Sequence, residues 1–324
     1  GGFITRRVAR EDFGTNPCSE IILRSREFCN LSECVIRRED TRESLKEKVR
    51  TAAILGTFQS TLTEFKYLSR EWKRNCDEER LLGVSLTGIM DNPLTNGTKK
   101  GLDILLEELR TVAYETNKEW ADKLGIPVSA AITCVKPSGS VSQLVDSASG
   151  IHARHNPFYI RTVRADNKDP LCKLMQDMGF PNAADVTKPE HTTVFSFPMK
   201  SPKGAICRMH RSALEQLELW KVYAENWCEH KPSVTISVKE DEWIEVASWV
   251  YDHFDSISGI SFLPFSEHVY RQAPYQDCTE EEYIEALKTM PKSVDWTELS
   301  KYESQDYTIA SQELACTAGG CEII

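Results

Sequence analysis

Asn16, Cys18 and Glu20 occupy alternate positions in Gly14-Thr-Asn-Pro-Cys-Ser-Glu-Ile-Ile-Leu23. A second thiol, Cys29, follows in Arg24-Ser-Arg-Glu-Phe-Cys-Asn-Leu-Ser-Glu-Cys34. Sulfur can act as a nucleophile or carry a radical, a carboxylate moves protons, and an amide orients what is bound. Side chains alternate faces in an extended chain, so Asn16, Cys18 and Glu20 are expected to point the same way. A Cys beside a Glu is more often a small buried hydrophobe near a solvated charge, so the pair needs support from the rest of the chain.

Two further stretches carry chemistry. Lys136-Pro137-Ser138-Gly139-Ser140-Val141 reads as a strand running into a turn of small residues. Such a turn presents N–H groups and hydroxyls outward, and a helix opening after it adds its positive end, which suits a phosphate. Pro-Ser-Gly is also ordinary turn chemistry. At the other end of the chain, Cys316 and Cys321 are separated by four small residues, two of them glycine. A dithiol on such a segment suits thiol–disulfide exchange, and tethering raises its effective concentration at an internal disulfide. Zinc would need two more ligands nearby, and none is at hand. His152 and His155 also lack Cys or carboxylate partners at a metal-binding spacing, so no metal site is expected.

The elements that must position these residues follow from periodicity. Asp40 and Thr41 cap a helix to about Thr57 through Leu45, Val49, Ala52 and Ala53. Arg80–Asp91 reads as a buried strand broken by Gly83 and Gly88. Leu102, Leu105, Leu106, Leu109, Val112, Ala113, Trp120 and Leu124 mark a helix that Gly125 stops. Ser212-x-x-Glu215 caps a helix through Cys228, and Ser233–Val238 alternates as a strand. Trp243–Phe254 is helical, Gly259–Leu263 a short strand, and Thr279-x-x-Glu282 caps a helix to about Met290. Alternating strands and helices of this kind predict an α/β architecture.

The chain has 324 residues, 40% of them apolar, and a net charge of −10. That is enough for one large or two modest cores. The acidic balance argues against a duplex nucleic-acid binder. No run of about 18 apolar residues occurs, so no membrane span is expected, and no signal peptide is visible. Eleven cysteines without a secreted-type spacing fit a reducing, cytoplasmic setting. Cys34, Cys76, Cys134, Cys172, Cys207, Cys228 and Cys278 read as packing residues, Cys34 being the candidate exception because it lies close to Cys29.

The pattern Asn-Pro-Cys-x-Glu-Ile followed by Phe-Cys-Asn-Leu resembles the active-site finger loop of the large chain of ribonucleotide reductases. The likeness is greatest to the monomeric adenosylcobalamin-dependent (class II) ribonucleoside-triphosphate reductases. Arg80-x-x-Gly-x-x-x-x-Gly-x-x-Asp91, the Lys136–Val141 turn and Ser149–Arg164 resemble further segments of that family, and the Cys-x-x-x-x-Cys ending resembles its reductant-shuttling pair.

The resemblance implies the C-terminal half of the family's ten-stranded α/β barrel, with the finger loop near the N-terminus. Residues 1–305 would be the loop and second half-barrel, and 306–324 a flexible redox tail. By the same resemblance Cys18 is the thiyl radical, Glu20 handles a ribose hydroxyl proton and Asn16 binds substrate. Cys29 is one of two reducing thiols, Cys316 and Cys321 re-reduce the resulting disulfide, and Pro137 to Val141 hold the substrate phosphate. The implied cofactor is adenosylcobalamin. No Tyr-Tyr relay of the diiron class occurs, and the dithiol stands where the glycyl-radical class ends. The implied partners are a ribonucleoside triphosphate, a thioredoxin-like reductant and the missing N-terminal half, which carries the second reducing thiol and the effector site. Without that half the chain is not expected to turn over. A reductase of another class, a non-catalytic remnant or assembly subunit, and an unrelated thiol-redox protein are the rival readings.

Overall fold

The structure is a computed structural model that describes residues 6, 7, 13–265 and 271–303. In chain order these are β1 (Gly14–Thr15), β2 (Ile22–Leu23), β3 (Asn30–Val35), α1 (Arg42–Gln59), α2 (Arg70–Glu79), β4 (Leu82–Thr87), α3 (Leu102–Leu124), β5 (Thr133–Cys134) and α4 (Ser140–Leu144). Then come β6 (Phe158–Asp166), α5 (Pro170–Asp177), β7 (Asn182–Ala184), β8 (Thr192–Lys200), α6 (Ala213–Asn226), β9 (Val234–Val238), α7 (Trp243–Asp252), β10 (Ile260–Pro264), β11 (Tyr275–Asp277), α8 (Glu280–Thr289) and α9 (Leu299–Tyr302). The chain divides into two compact units, residues 1–154 with 204–265, and residues 155–203 with 266–324.

The first unit holds the parallel strands. β3 pairs with β4 and β4 with β5. A parallel bridge between Val135 and Pro232 carries the ladder from β5 toward β9, and β9 pairs with β10. Every residue of β4 is buried, as expected of a strand covered on both faces. Helices α1, α3 and α6 supply the cover. Leu45, Val49 and Ala53 of α1, Leu106, Leu109 and Ala113 of α3, and Leu217, Trp220 and Tyr223 of α6 belong to one core with Leu82, Val84 and Leu86. Each fully buried Leu or Val among them stabilises the fold by roughly 1.5–3 kcal/mol. The two deepest indoles also satisfy their N–H groups, Trp220 on Pro232 O and Trp227 on Cys134 O, each at 2.7 Å, which ties α6 to the β5–β9 junction.

Capping sets the helix starts where the sequence placed them. Thr41 opens α1, Ser212 opens α6 and Thr279 opens α8, each with a reciprocal capping box, and Gly125 ends α3 in the left-handed region.

The second unit departs from the alternating pattern. Its sheet, ordered β11-β6-β8-β7, is antiparallel throughout, with β6 and β8 in register from Phe158–Lys200 to Asp166–Thr192. Phe195, Cys172 and Phe180 form its small core. The expected boundary between a catalytic domain and a tail at residue 306, and the pair Cys316 and Cys321, lie outside the described residues.

Candidate active site

Residues 14–23 form a tight hairpin rather than one extended strand. Gly14 pairs with Leu23 and Thr15 with Ile22, and Asn16–Ser19 closes as a turn in which Ser19 N–H donates to Asn16 O at 2.9 Å, with Ser19 at φ +61°. The sharing of a face expected from alternation is therefore not how these side chains meet. Asn16 reaches Glu20 across the turn instead: its amide donates to Glu20 Oε1 at 2.6 Å, while its own Oδ1 accepts from Ile21 N–H at 3.0 Å. Cys18 sits at the turn, half-buried, and Glu20 is fully buried.

The hairpin is pinned to the parallel strands from below. Lys231 N–H donates to Glu20 O at 3.0 Å, and Ile22 N–H to His230 Nδ1 at 3.4 Å. His230 in turn lies 2.8 Å from Leu82 O through Nε2. Burial lowers the His230 pKa to about 4, so the ring is neutral and both nitrogens serve the backbone.

Cys29 precedes β3, and its sulfur lies over Gly83 of β4. A Cβ at position 83 would come within 3.2 Å of that sulfur. This is the close approach that the glycine in the Arg80–Asp91 run permits. Burial first, then the Glu20 and Glu27 carboxylates, push the Cys29 thiol pKa upward, so it is held as a thiol and a hydrogen donor.

Lys136, where β5 runs out into the turn, brings its ammonium to Glu20 Oε1 at 2.8 Å. Its backbone N–H is fixed by Ser85 Oγ at 2.9 Å. Within the turn, the Ser138 hydroxyl donates to both oxygens of Glu33, at 2.8 and 2.9 Å, and Ser138 N–H donates to Ser149 Oγ. Ser138 thus anchors the turn in this structure. Gly139 takes φ +55°, ψ −131°, a conformation open to glycine, and α4 begins at Ser140 with Val141 partly exposed. The following loop is locked to the end of β4. Thr87 Oγ1 donates to Ala148 O and accepts from Gly150 N–H, and Ala148 N–H donates to Asp91. Asp91 forms a buried bidentate pair with Arg154 at 2.8 Å for each bond. Pro137 to Val141 therefore open from the same strand end that holds Glu20.

Strand alternation separates the thiols. Ser32 bonds α1 through Ala52 O, so Ser32 and Cys34 face that helix, while Leu31 and Glu33 face the other way with Gly83 and Ser85. Cys34 is buried among α1 side chains, and burial raises its pKa to about 12. Its closeness to Cys29 in sequence does not bring it to the site, and it is a packing residue. Cys134 is in register with Ser85 on the site face, where burial raises its thiol pKa and the charges of Glu20 and Lys136 reach it. In the sequence alone, Cys134 reads as one of the packing thiols and Lys136 as the opening of the turn rather than a site residue. Only strand pairing shows otherwise, because neither position stands out in periodicity. His152 is structural: Nδ1 meets Ser149 O at 3.0 Å and Nε2 accepts from Thr235 N–H at 3.0 Å. No metal-holding cluster occurs among the described residues.

No family model matches the chain. Curated relatives do. A protein of Euglena gracilis named adenosylcobalamin-dependent ribonucleoside-triphosphate reductase is 27% identical over 283 residues, which is 87% of this chain and 38% of that protein. The protein of the same name from Lactobacillus gasseri is 25% identical over 96% of this chain and 45% of its own length. Relatives with that name match this chain almost from end to end. The chain spans less than half the length of either. Among solved structures, a B12-dependent (class II) ribonucleotide reductase matches 91% of this chain and 44% of its own, with a TM-score of 0.77 at 24% identity. A class Id ribonucleotide reductase α subunit from Actinobacillus ureae matches 77% of this chain with a TM-score of 0.51 at 13% identity. The α/β fold expected from the sequence is therefore that of the class II reductase over the matched region.

Proposed function

We propose that this chain is the catalytic portion of an adenosylcobalamin-dependent ribonucleoside-triphosphate reductase, converting ribonucleotides to 2′-deoxyribonucleotides by thiyl-radical chemistry. One observation carries the reading. A half-buried thiol, a buried carboxylate with one oxygen unbonded among the described residues and a second thiol held protonated are gathered beside the parallel strands β3, β4 and β5 and the small-residue turn that follows β5.

In this reading the Cys18 sulfur takes a hydrogen atom from ribose C3′ and later returns it. Glu20 Oε2 accepts the proton of the 3′-hydroxyl, the step for which a buried carboxylate oxygen without a partner among the described residues is suited. Asn16 holds Oε1 so that the carboxyl cannot turn away. Cys29 supplies a proton and reducing equivalents at the 2′ position. Its partner thiol, like the effector site, belongs to a portion of the enzyme that this chain does not contain. Cys316 and Cys321 would reduce the resulting disulfide and be recharged by a thioredoxin-like protein, in a cytoplasmic setting. Pro137, Ser138, Gly139, Ser140 and Val141 would hold the substrate phosphates, with Ser138 releasing Glu33 to do so.

Adenosylcobalamin, when bound, supplies the radical that Cys18 receives. The residues present fit that role at the accessible thiol of Cys18, which the turn presents at the hairpin tip. The reading predicts the following complementation. The chain is mixed with a matching N-terminal half, adenosylcobalamin, dithiothreitol and a ribonucleoside triphosphate, and deoxynucleotide is measured. Product that disappears with Cys18→Ser supports the proposal. A folded complex that binds cobalamin yet forms no product would sink it and favour a non-catalytic subunit.

A further inference from the structure

The two oxygens of Glu20 have unequal surroundings. Oε1 accepts both from Asn16 Nδ2 at 2.6 Å and from Lys136 Nζ at 2.8 Å. Oε2 is buried and has no hydrogen-bond partner among the described residues. An ionised carboxyl that is fully buried is stable only beside a compensating charge; otherwise it takes up a proton. Asn16 is neutral, so Lys136 is the cation bonded to it. Lys136 is itself partly buried, which alone would favour loss of its proton. Its bond to the Glu20 carboxylate outweighs burial and raises its pKa instead. Lys231 contributes only its backbone N–H, to Glu20 O.

We propose that Lys136 is a positioning residue for Glu20. Together with the Asn16 amide it occupies Oε1, keeps the buried carboxyl ionised, and leaves Oε2 as the oxygen presented to a hydroxyl of the bound nucleotide. The identity of that hydroxyl rests on the reductase reading above; the ion pair and its consequence for Glu20 do not. Because Lys136 also begins the turn that ends in α4, one residue joins the acid–base group to the segment expected to hold phosphate.

The test uses the chain alone and reads protonation directly. Infrared difference spectra at pH 7 between the parent and Glu20→Gln isolate the Glu20 band, which is expected to be that of a carboxylate. The same difference in a Lys136→Met background is expected to show a protonated carboxylic acid, and in a Lys136→Arg background a carboxylate again. A carboxylate that persists in the Lys136→Met background overturns the proposal. Should Lys136→Met fail to fold, the reciprocal measurement decides. In Glu20→Gln the side-chain ¹³Cε signal of Lys136, identified by its absence from Lys136→Arg, is expected to titrate at lower pH than in the parent. An unmoved titration overturns the proposal. Failure of the reductase reading shows elsewhere, as absence of deoxynucleotide from the complemented parent, and leaves these spectra unchanged.

Discussion

The Cys29 sulfur and the Cα of Gly83 are in such close approach that a single added carbon on Gly83 would sit 3.2 Å from the sulfur and 2.4 Å from Leu31 Cδ2. Leu31 is partly exposed and its methyl is the far end of a flexible side chain, so it can swing away. Gly83→Ala is therefore expected to fold, at a cost toward the lower end of the roughly 1–3 kcal/mol typical of overpacking. The thiol has less room to yield, with Ile21 Cδ1 at 3.2 Å on the same spot. Urea denaturation should show the modest loss, and the rate of Cys29 alkylation should change while that of Cys18 does not. An unchanged Cys29 rate would mean that the glycine is not what admits the sulfur.

The nine described cysteines should separate by reactivity. Cys18 is half-buried, whereas Cys134, Cys172 and Cys228 are fully enclosed, with burial pushing their thiol pKa values up. Iodoacetamide at pH 8, followed by peptide mapping, should label Cys18 first in the native protein and those three only after unfolding. Cys29 should lag behind Cys18 because its thiolate is disfavoured by burial and by Glu20. Labelling of Cys134 as fast as Cys18 would contradict the burial described.

Much of this was legible in the sequence, for identifiable reasons. Capping signals are local, so Thr41, Ser212, Thr279 and Gly125 set helix ends that the structure keeps. The order of thiol, carboxylate and amide is also a one-dimensional signal. Their mutual geometry is not. Asn16 and Glu20 meet through a turn with Ser19 at positive φ, which alternation does not foresee. The placement of Cys34 away from the site and Cys134 on its face depends on which strands pair and in what register. The antiparallel unit escaped for another reason. β6 alternates weakly, its residues being mostly half-buried, and β7 is exposed throughout, so neither carries a clear period-two pattern.

The Arg154–Asp91 pair should matter more than any surface ion pair in the chain. Both side chains are nearly inaccessible, and Asp91 also accepts the Ala148 N–H. Arg154→Met leaves the carboxylate buried without its cation, a change expected to cost about 3–5 kcal/mol. Replacing both, as Arg154→Met with Asp91→Leu, should recover a good part of that loss in urea melts. The single variant should also loosen residues 146–150, visible as faster amide exchange there. A loss below 1 kcal/mol would show that the pair is not what locks this loop.

Two buried groups give opposite pH dependences, and their windows can be separated. His230 has its pKa lowered to about 4 by burial, against about 6.5 in an unfolded chain. Between these values the unfolded state binds the extra proton, so stability rises with pH across that window, by about 3 kcal/mol in all. Glu27 runs the other way. Burial, followed by its hydrogen bond to the Glu79 carboxyl, raises its pKa from the ordinary 4.5 to about 8, although Arg24 N–H donates to it at 2.8 Å and Arg7 lies beside it. From 4.5 to 8 the folded state holds the proton that the unfolded state has lost, so the contribution of Glu27 declines as pH rises. Below pH 6.5 the two trends offset each other; from 6.5 to 8 the Glu27 decline stands alone. His230→Gln should therefore uncover a fall in stability between pH 4.5 and 6.5, and Glu27→Gln should flatten the fall between 6.5 and 8. Chemical denaturation at half-unit pH steps checks both. If Glu27→Gln leaves the slope above pH 6.5 unchanged, the carboxyl next to Cys29 is ionised in the folded chain and its arginines outweigh burial.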